Sequence, residues 1–115
     1  MDKPASKRQL QVARELQRDL AEIIRARGMA AFAGCMVTVS EVRVSPDLSI
    51  AKVYVSIFPS DKAADALKSL EEEKRAIRGE LGRKVASQLR IVPEIEFFQD
   101  TSLDYAAHIE ELLKK

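Results

Sequence analysis

Two carboxylates, one thiol, one imidazole and a row of cations are the side chains here whose types and spacing could do chemistry. Glu94 and Glu96 stand two positions apart, which puts both on one face of an extended strand, where paired carboxylates can divide acid and base roles. Lying opposite Ile95 and Phe97, the same two residues also satisfy the plain alternation of a half-buried strand, and that reading needs no reaction. Cys35 is the single cysteine, set in the apolar run Ala33-Gly34-Cys35-Met36-Val37, so no internal disulfide can form. A thiol in such a run reads as a small buried hydrophobe. His108, the single histidine, stands among Ala106, Ala107, Ile109 and Glu111 and reads as a partly exposed helical residue. One Cys and one His make no metal-ligand cluster. The serines lack a nucleophile-elbow context, and Gly79-Glu80-Leu81-Gly82 matches no phosphate-binding loop. No catalytic residue, metal or cofactor is expected.

The cations are a different matter. The formal net charge is only +1, so a whole-protein argument for nucleic acid fails, and any electrostatic case rests on where the charges lie. Residues 74–90 carry Lys74, Arg75, Arg78, Arg83, Lys84 and Arg90 against Glu80 alone, while the segments on either side are acidic. Residues 1–27 are also net basic, with Lys7, Arg8, Arg14 and Arg18 among their cations. On helices, cations three and four residues apart share a face, and each can approach a phosphate and release counterions. The competing reading is a solvated helix face laced with ion pairs, and charge pattern alone does not choose between them.

These side chains must be held by a single domain, since 115 residues is the commonest size for one core. Hydrophobic residues make up 46% and charged residues 32%, enough to collapse and enough to cover the surface. The polar start Met1-Asp2-Lys3-Pro4 has no signal-peptide run, and no apolar stretch is long enough for a membrane span. A cytoplasmic location is expected. Residues 1–6 read as a ragged tail. From Lys7 to Arg27, Leu10, Ala13, Leu16, Leu20, Ile23 and Ile24 recur at helical spacing, with Gly28 as the stop. Val37, Val39, Val42 and Val44 form a strand whose phase slips at Glu41-Val42, which predicts a bulge. Ser45-Pro46-Asp47 predicts a turn, and Ala51, Val53, Val55 and Ile57 alternate with polar residues as the second arm of a hairpin. Residues 61–89 read as helical, and their length with Gly79 and Gly82 predicts two helices meeting at a kink. A third strand is predicted over Ile91 to Phe98, and a terminal helix over 103–113. Three strands cannot bury both faces of a sheet and a core as well, so an α+β fold with helices on one face is expected.

The run from Val37 to Ser49, with Val44-Ser45-Pro46-Asp47-Leu48 at its turn, and then Ala51-Lys52-Val53-Tyr54-Val55, resembles the hairpin of the ribosome-binding factor A family. Ile77-Arg78, Leu81-Gly82, Leu89-Arg90, Pro93-Glu94-Ile95, Phe97, Asp100 and Ser102-Leu103 follow in that family's order, so the resemblance covers nearly the whole chain from Arg8. It implies a type II KH-like domain in the order α-β-β-α-kink-α-β. Where the family has Ala-x-Gly at the kink, this sequence has Glu73-Lys74-Arg75 by register, which moves the expected kink toward Gly79.

The resemblance further implies a transient assembly factor, a monomer that binds free or immature small (30S) ribosomal subunits through 16S rRNA and supports 5′-end processing of the precursor. It implies links to cold adaptation and to a ribosome-assembly GTPase that promotes release. The RNA-binding residues expected on this basis are Lys7, Arg8, Arg14, Arg18, Lys74, Arg75, Arg78, Arg83, Lys84 and Arg90. The alternative is a protein–protein adaptor that docks through the acidic C-terminal segment or an exposed sheet edge.

Overall fold

The computed structural model describes residues 5–87, 89 and 91–100. Arg90, His108 and the predicted terminal helix lie outside the described residues.

Helix α1 spans Lys7–Arg27. Its start is set by Ser6, which belongs to the fold rather than to a tail. The Ser6 hydroxyl accepts the Gln9 N–H at 3.1 Å, and the Gln9 side-chain oxygen accepts the Ser6 N–H at 2.8 Å. Gly28, at φ 79°, closes the other end and donates its N–H to the Arg25 carbonyl, a backbone conformation that favours glycine. The buried stripe is Val12, Leu16, Leu20, Ile23 and Ile24. Leu10, expected in that stripe, is 50% exposed, because Val12 has the better phase with Leu16 and Leu20.

A short 3-10 turn, Met29–Phe32, leads into strand β1, Met36–Val44, which forms an antiparallel hairpin with β2, Ile50–Phe58. The predicted bulge is present one position earlier than its phase slip suggested. The register shifts between Val39 and Glu41, leaving Ser40 as the extra residue, its hydroxyl 3.0 Å from the Tyr54 carbonyl and 2.8 Å from the Asp100 carboxylate. The turn is fastened by Asp47, whose carboxylate accepts from the hydroxyls of Ser45 and Ser49, both at 2.7 Å, and from the Ser49 N–H at 3.1 Å. Ala51, Val53, Val55 and Ile57 are buried as their alternation predicts.

The stretch predicted as two helices is one. After a 3-10 turn at Ser60–Lys62, α2 runs unbroken over Ala63–Val85. Neither Gly79 nor Gly82 has a positive φ, and the buried line Leu70, Ile77, Leu81 and Val85 continues straight past them. Packing of that line outweighs the propensity cost of two glycines. The third strand is also shorter than predicted: β3 is Glu94–Gln99, and Ile91 is 75% exposed. Pro93 has no N–H to enter a ladder, so residues 91–93 form a connection instead.

The sheet order is β1-β2-β3, with β3 parallel to β2. α1 lies over β1 and α2 beside β3, and the two helices also touch each other. One face of the sheet is therefore covered and the core lies beneath the helices, with Cys35 inside it at 0% exposure. Among the described residues nothing covers the other face. There Tyr54 stacks on Phe98 at 5.4 Å, Arg43 stands 5.5 Å from the Tyr54 ring centre, and Phe58 is 71% exposed.

Candidate nucleic-acid interface

Glu96 lies on the face away from the helices, in register with Lys52, whereas Glu94, at the start of the strand, lies 3.5 Å from Arg78 of α2. Among the described residues no His, Cys, Asp and Glu group could hold a metal ion. No helix among them is long and apolar enough to cross a membrane. The cations gather instead on the helix layer, and the helix period sorts them.

At 3.6 residues per turn, Lys7, Arg14, Arg18 and Arg25 fall on the side of α1 opposite its buried stripe. They form a basic crest along the helix, and all are exposed. Lys7 and Arg8 stand in the first turn, which contains no acid. Cations there oppose the helix dipole, so helix stability does not explain them. Arg25 was not among the cations expected to bind RNA; its signal was the spacing of seven, four and seven residues through Lys7, Arg14, Arg18 and Arg25.

On α2 the outer crest runs through Lys68, Arg75, Gly79 and Arg83. The two flanks are occupied. Toward α1, Arg27 sends one terminal nitrogen of its guanidinium to one Glu80 oxygen at 2.9 Å and the second to the other at 3.1 Å, with Glu73 at 3.4 Å. These hydrogen bonds with Glu80, more than any other contact, raise the Arg27 pKa and lower that of Glu80. Lys84 joins the same seam through Glu22 at 3.2 Å. The seam fixes the helices antiparallel, since Glu22 precedes Arg27 while Lys84 follows Glu80.

On the other flank, Arg78 donates to the carbonyls of Val92 at 2.7 Å and Pro93 at 3.1 Å. Lys74 pairs with Glu71 at 2.7 Å and lies 6.0 Å from the Phe97 ring centre. The ten expected RNA-binding residues thus divide. Lys74, Arg78 and Lys84 are engaged by carboxylates and carbonyls of the fold, and Arg90 lies outside the described residues. Lys7, Arg14, Arg18, Arg75 and Arg83 stand on the crests without a close ion pair among the described residues, although the Arg83 charge is near enough to help lower the pKa of Glu80. Arg8 is exposed at the head of α1 and has partners of its own.

Between Arg75 and Arg83 the surface dips. Arg75, Arg78, Gly79, Gly82 and Val92 line a shallow hollow of about 310 Å³. A Cβ at Gly79 would meet nothing within 4 Å, whereas one at Gly82 would lie 3.1 Å from Val92 Cγ2. Gly82 thus admits the 91–93 connection, and Gly79 lowers the crest for whatever approaches from outside.

The sequence profile of the family described as ribosome-binding factor A matches residues 8–113. A ribosome-binding factor A of Christiangramia forsetii is 41% identical over 108 residues, covering 93% of this chain and 82% of that protein. One of Chlorobium phaeobacteroides is 44% identical over 108 residues, covering 90% and 89%. Among solved structures, the crystal structure of ribosome-binding factor A from Thermus thermophilus superposes with a TM-score of 0.68 at 32% identity, covering 79% of this chain and 94% of the other. A homology model of the Thermus thermophilus ribosome-binding factor A, as fitted into the cryo-EM map of its 30S complex, gives 0.63 at 33% identity, covering 76% and 90%. The fold shared with these structures is KH-like, and the family profile takes in all of α2 and α1 from Arg8 onward. This chain belongs to the ribosome-binding factor A family.

Proposed function

We propose that the chain binds the small ribosomal subunit through rRNA, laying the outer surface of its helix layer against the phosphate backbone. The observation that carries this reading is the division of the cations. Those on the helix flanks are consumed by carboxylates and carbonyls of the fold, while Lys7, Arg14, Arg18, Arg75 and Arg83 point outward from both helices. Guanidinium groups at such spacing grip phosphates through paired donors. The similarity to a protein fitted into a 30S complex supplies the target.

In this reading the chain is a binding factor and not an enzyme. It acts as a cytoplasmic monomer on free or immature subunits, aids 5′-end maturation of precursor 16S rRNA, and leaves before translation. Release by an assembly GTPase belongs to the same reading. Contacts made mainly to phosphate weaken with salt and with any rearrangement of the RNA, which suits a factor that must depart.

Sucrose-gradient cosedimentation with small subunits, large subunits and intact ribosomes, at low and high salt, tests it. Salt-sensitive association with the small subunit alone is the expected result. Absence from every particle at low salt would overturn the reading.

A further inference from the structure

Among the described residues β1 is an edge strand, bonded to β2 on one side only. In an antiparallel ladder every second residue turns its N–H and C=O away from its partner. Near the turn the parity is marked by Val44, whose carbonyl accepts from the Gln9 side-chain amide of α1 at 2.9 Å. The Gln17 amide reaches the Ser40 carbonyl at the bulge, at 3.3 Å. Two glutamines of α1 thus engage the Val44 and Ser40 carbonyls of this half of the edge. The bulge shifts the parity by one residue, so beyond it Val37 and Val39 direct their backbone groups outward. No side chain among the described residues caps either of them.

Beside this open half lies an apolar hollow of about 290 Å³, formed by α1, the 3-10 turn and β1. Consecutive strand residues point to opposite faces, so a hollow touched by Met36, Val37, Thr38 and Val39 together must run along the strand's edge. Ala21, Ile24, Met29 and Phe32 supply its apolar wall. Its volume lies below the usual range for cofactor and drug-sized ligand sites and suits one or two side chains. Among the described residues Arg25 is the only charged one lining it, and it has no close ion pair there.

We propose that this edge receives an extended peptide segment of a partner protein as an added strand. The peptide backbone would meet the outward groups of Val37 and Val39, a bulky apolar side chain would fill the hollow, and a carboxylate would face Arg25. Unmet main-chain donors and acceptors at strand spacing favour a polypeptide. An RNA strand would find one cation and an apolar wall there. The site lies at the β1 edge, away from the α2 crest; it shares Arg25 with the end of the α1 crest, but its strand edge and apolar wall do not depend on the rRNA reading.

The test uses the full chain as bait for a phage-displayed library of random linear peptides. Selected peptides are synthesised and followed by amide hydrogen exchange and NMR. The expected result is a family of peptides that alternate apolar and polar residues and carry Asp or Glu, with the Val37 and Val39 amides protected on binding. Val37→Pro removes an outward N–H, which an edge strand tolerates, and is expected to weaken binding about tenfold. If that variant fails to fold, Arg25→Glu and Met29→Asp, both exposed changes, must each weaken binding several-fold instead. Arg75→Glu with Arg83→Glu should leave peptide binding unchanged, which separates failure here from failure of the rRNA reading. The proposal is overturned if the library yields no binder, or if protection appears elsewhere. It is likewise overturned if the Val37 and Val39 amides become protected by self-association alone, or by a single-stranded RNA that displaces the peptides.

Discussion

Gly79 stands in mid-helix, where an added Cβ would meet no described residue within 4 Å, so its cost to the helix is visible. Glycine in a helix interior is about 1 kcal/mol less favourable than alanine. Gly79→Ala is therefore expected to raise stability by roughly 0.5–1 kcal/mol, read as a higher urea midpoint. Gly82→Ala should gain less, because the new methyl meets Val92 Cγ2 and must displace it. Asp47 gives a second prediction. The hydroxyls of Ser49 and Ser45 bond its charged form and lower its pKa to about 2, below the usual value near 3.8. A lowered folded-state pKa contributes stability that is complete above the unfolded value and is lost as pH falls through the folded one. The turn should thus loosen between about pH 4 and pH 2, seen as faster exchange of the Ser49 amide, and Asp47→Asn should remove that pH dependence. Arg78 marks where reading single residues stops. As a cation on a basic helix it resembles its neighbours, and only the fold brings it against the Val92 and Pro93 carbonyls.

At the scale of elements, the hairpin was the most legible part of the sequence. Its alternation, turn chemistry and bulge each leave a local signature, and the structure displaced only the bulge, by about one position. Val53 lies at 0% exposure in the central strand. Val53→Asp buries an unpaired charge and should cost several kcal/mol, and a variant that melts within a degree or two of the parent would refute the register. The elements around α2 were harder to read. Glycines and a run of acids at Glu71, Glu72 and Glu73 signal a break only when nothing compensates. Here a continuous buried line and the bonds from Arg27 to Glu73 and Glu80 compensate, and pairing across helices leaves no trace in the period of either one. Arg27→Ala should lower stability by about 1 kcal/mol, the partners being partly exposed, and the loss should shrink at high salt. Salt titration of the denaturation midpoint reads both.

For the whole molecule, a net charge of +1 conceals a polarised body. Basic crests lie on the helix side, and the bare sheet face carries aromatic rings with balanced charges. The segment charges made the basic helix visible, but not which of its cations the fold itself consumes, since that depends on how the layers meet. Reversing crest residues should weaken subunit association while sparing the fold. Arg75→Glu with Arg83→Glu, or Arg14→Glu with Arg18→Glu, is expected to lower cosedimentation with unchanged far-UV circular dichroism. The salt slope should fall by about 1 for each phosphate no longer engaged.

The parallel pairing of β3 with β2 bears on the order in which the chain folds. The hairpin joins residues close in sequence, whereas β3 pairs with β2 across the whole length of α2. Contacts between distant residues demand loop closure before they return any stabilisation, so docking of β3 should be the late step. Ile95→Val in β3 is then expected to speed unfolding and leave refolding nearly unchanged, while Val55→Ala in the hairpin slows refolding, both measured by stopped-flow. Until that step is complete, the central strand of the finished sheet is itself an open edge, and the nascent domain is at its most prone to pair with the wrong chain.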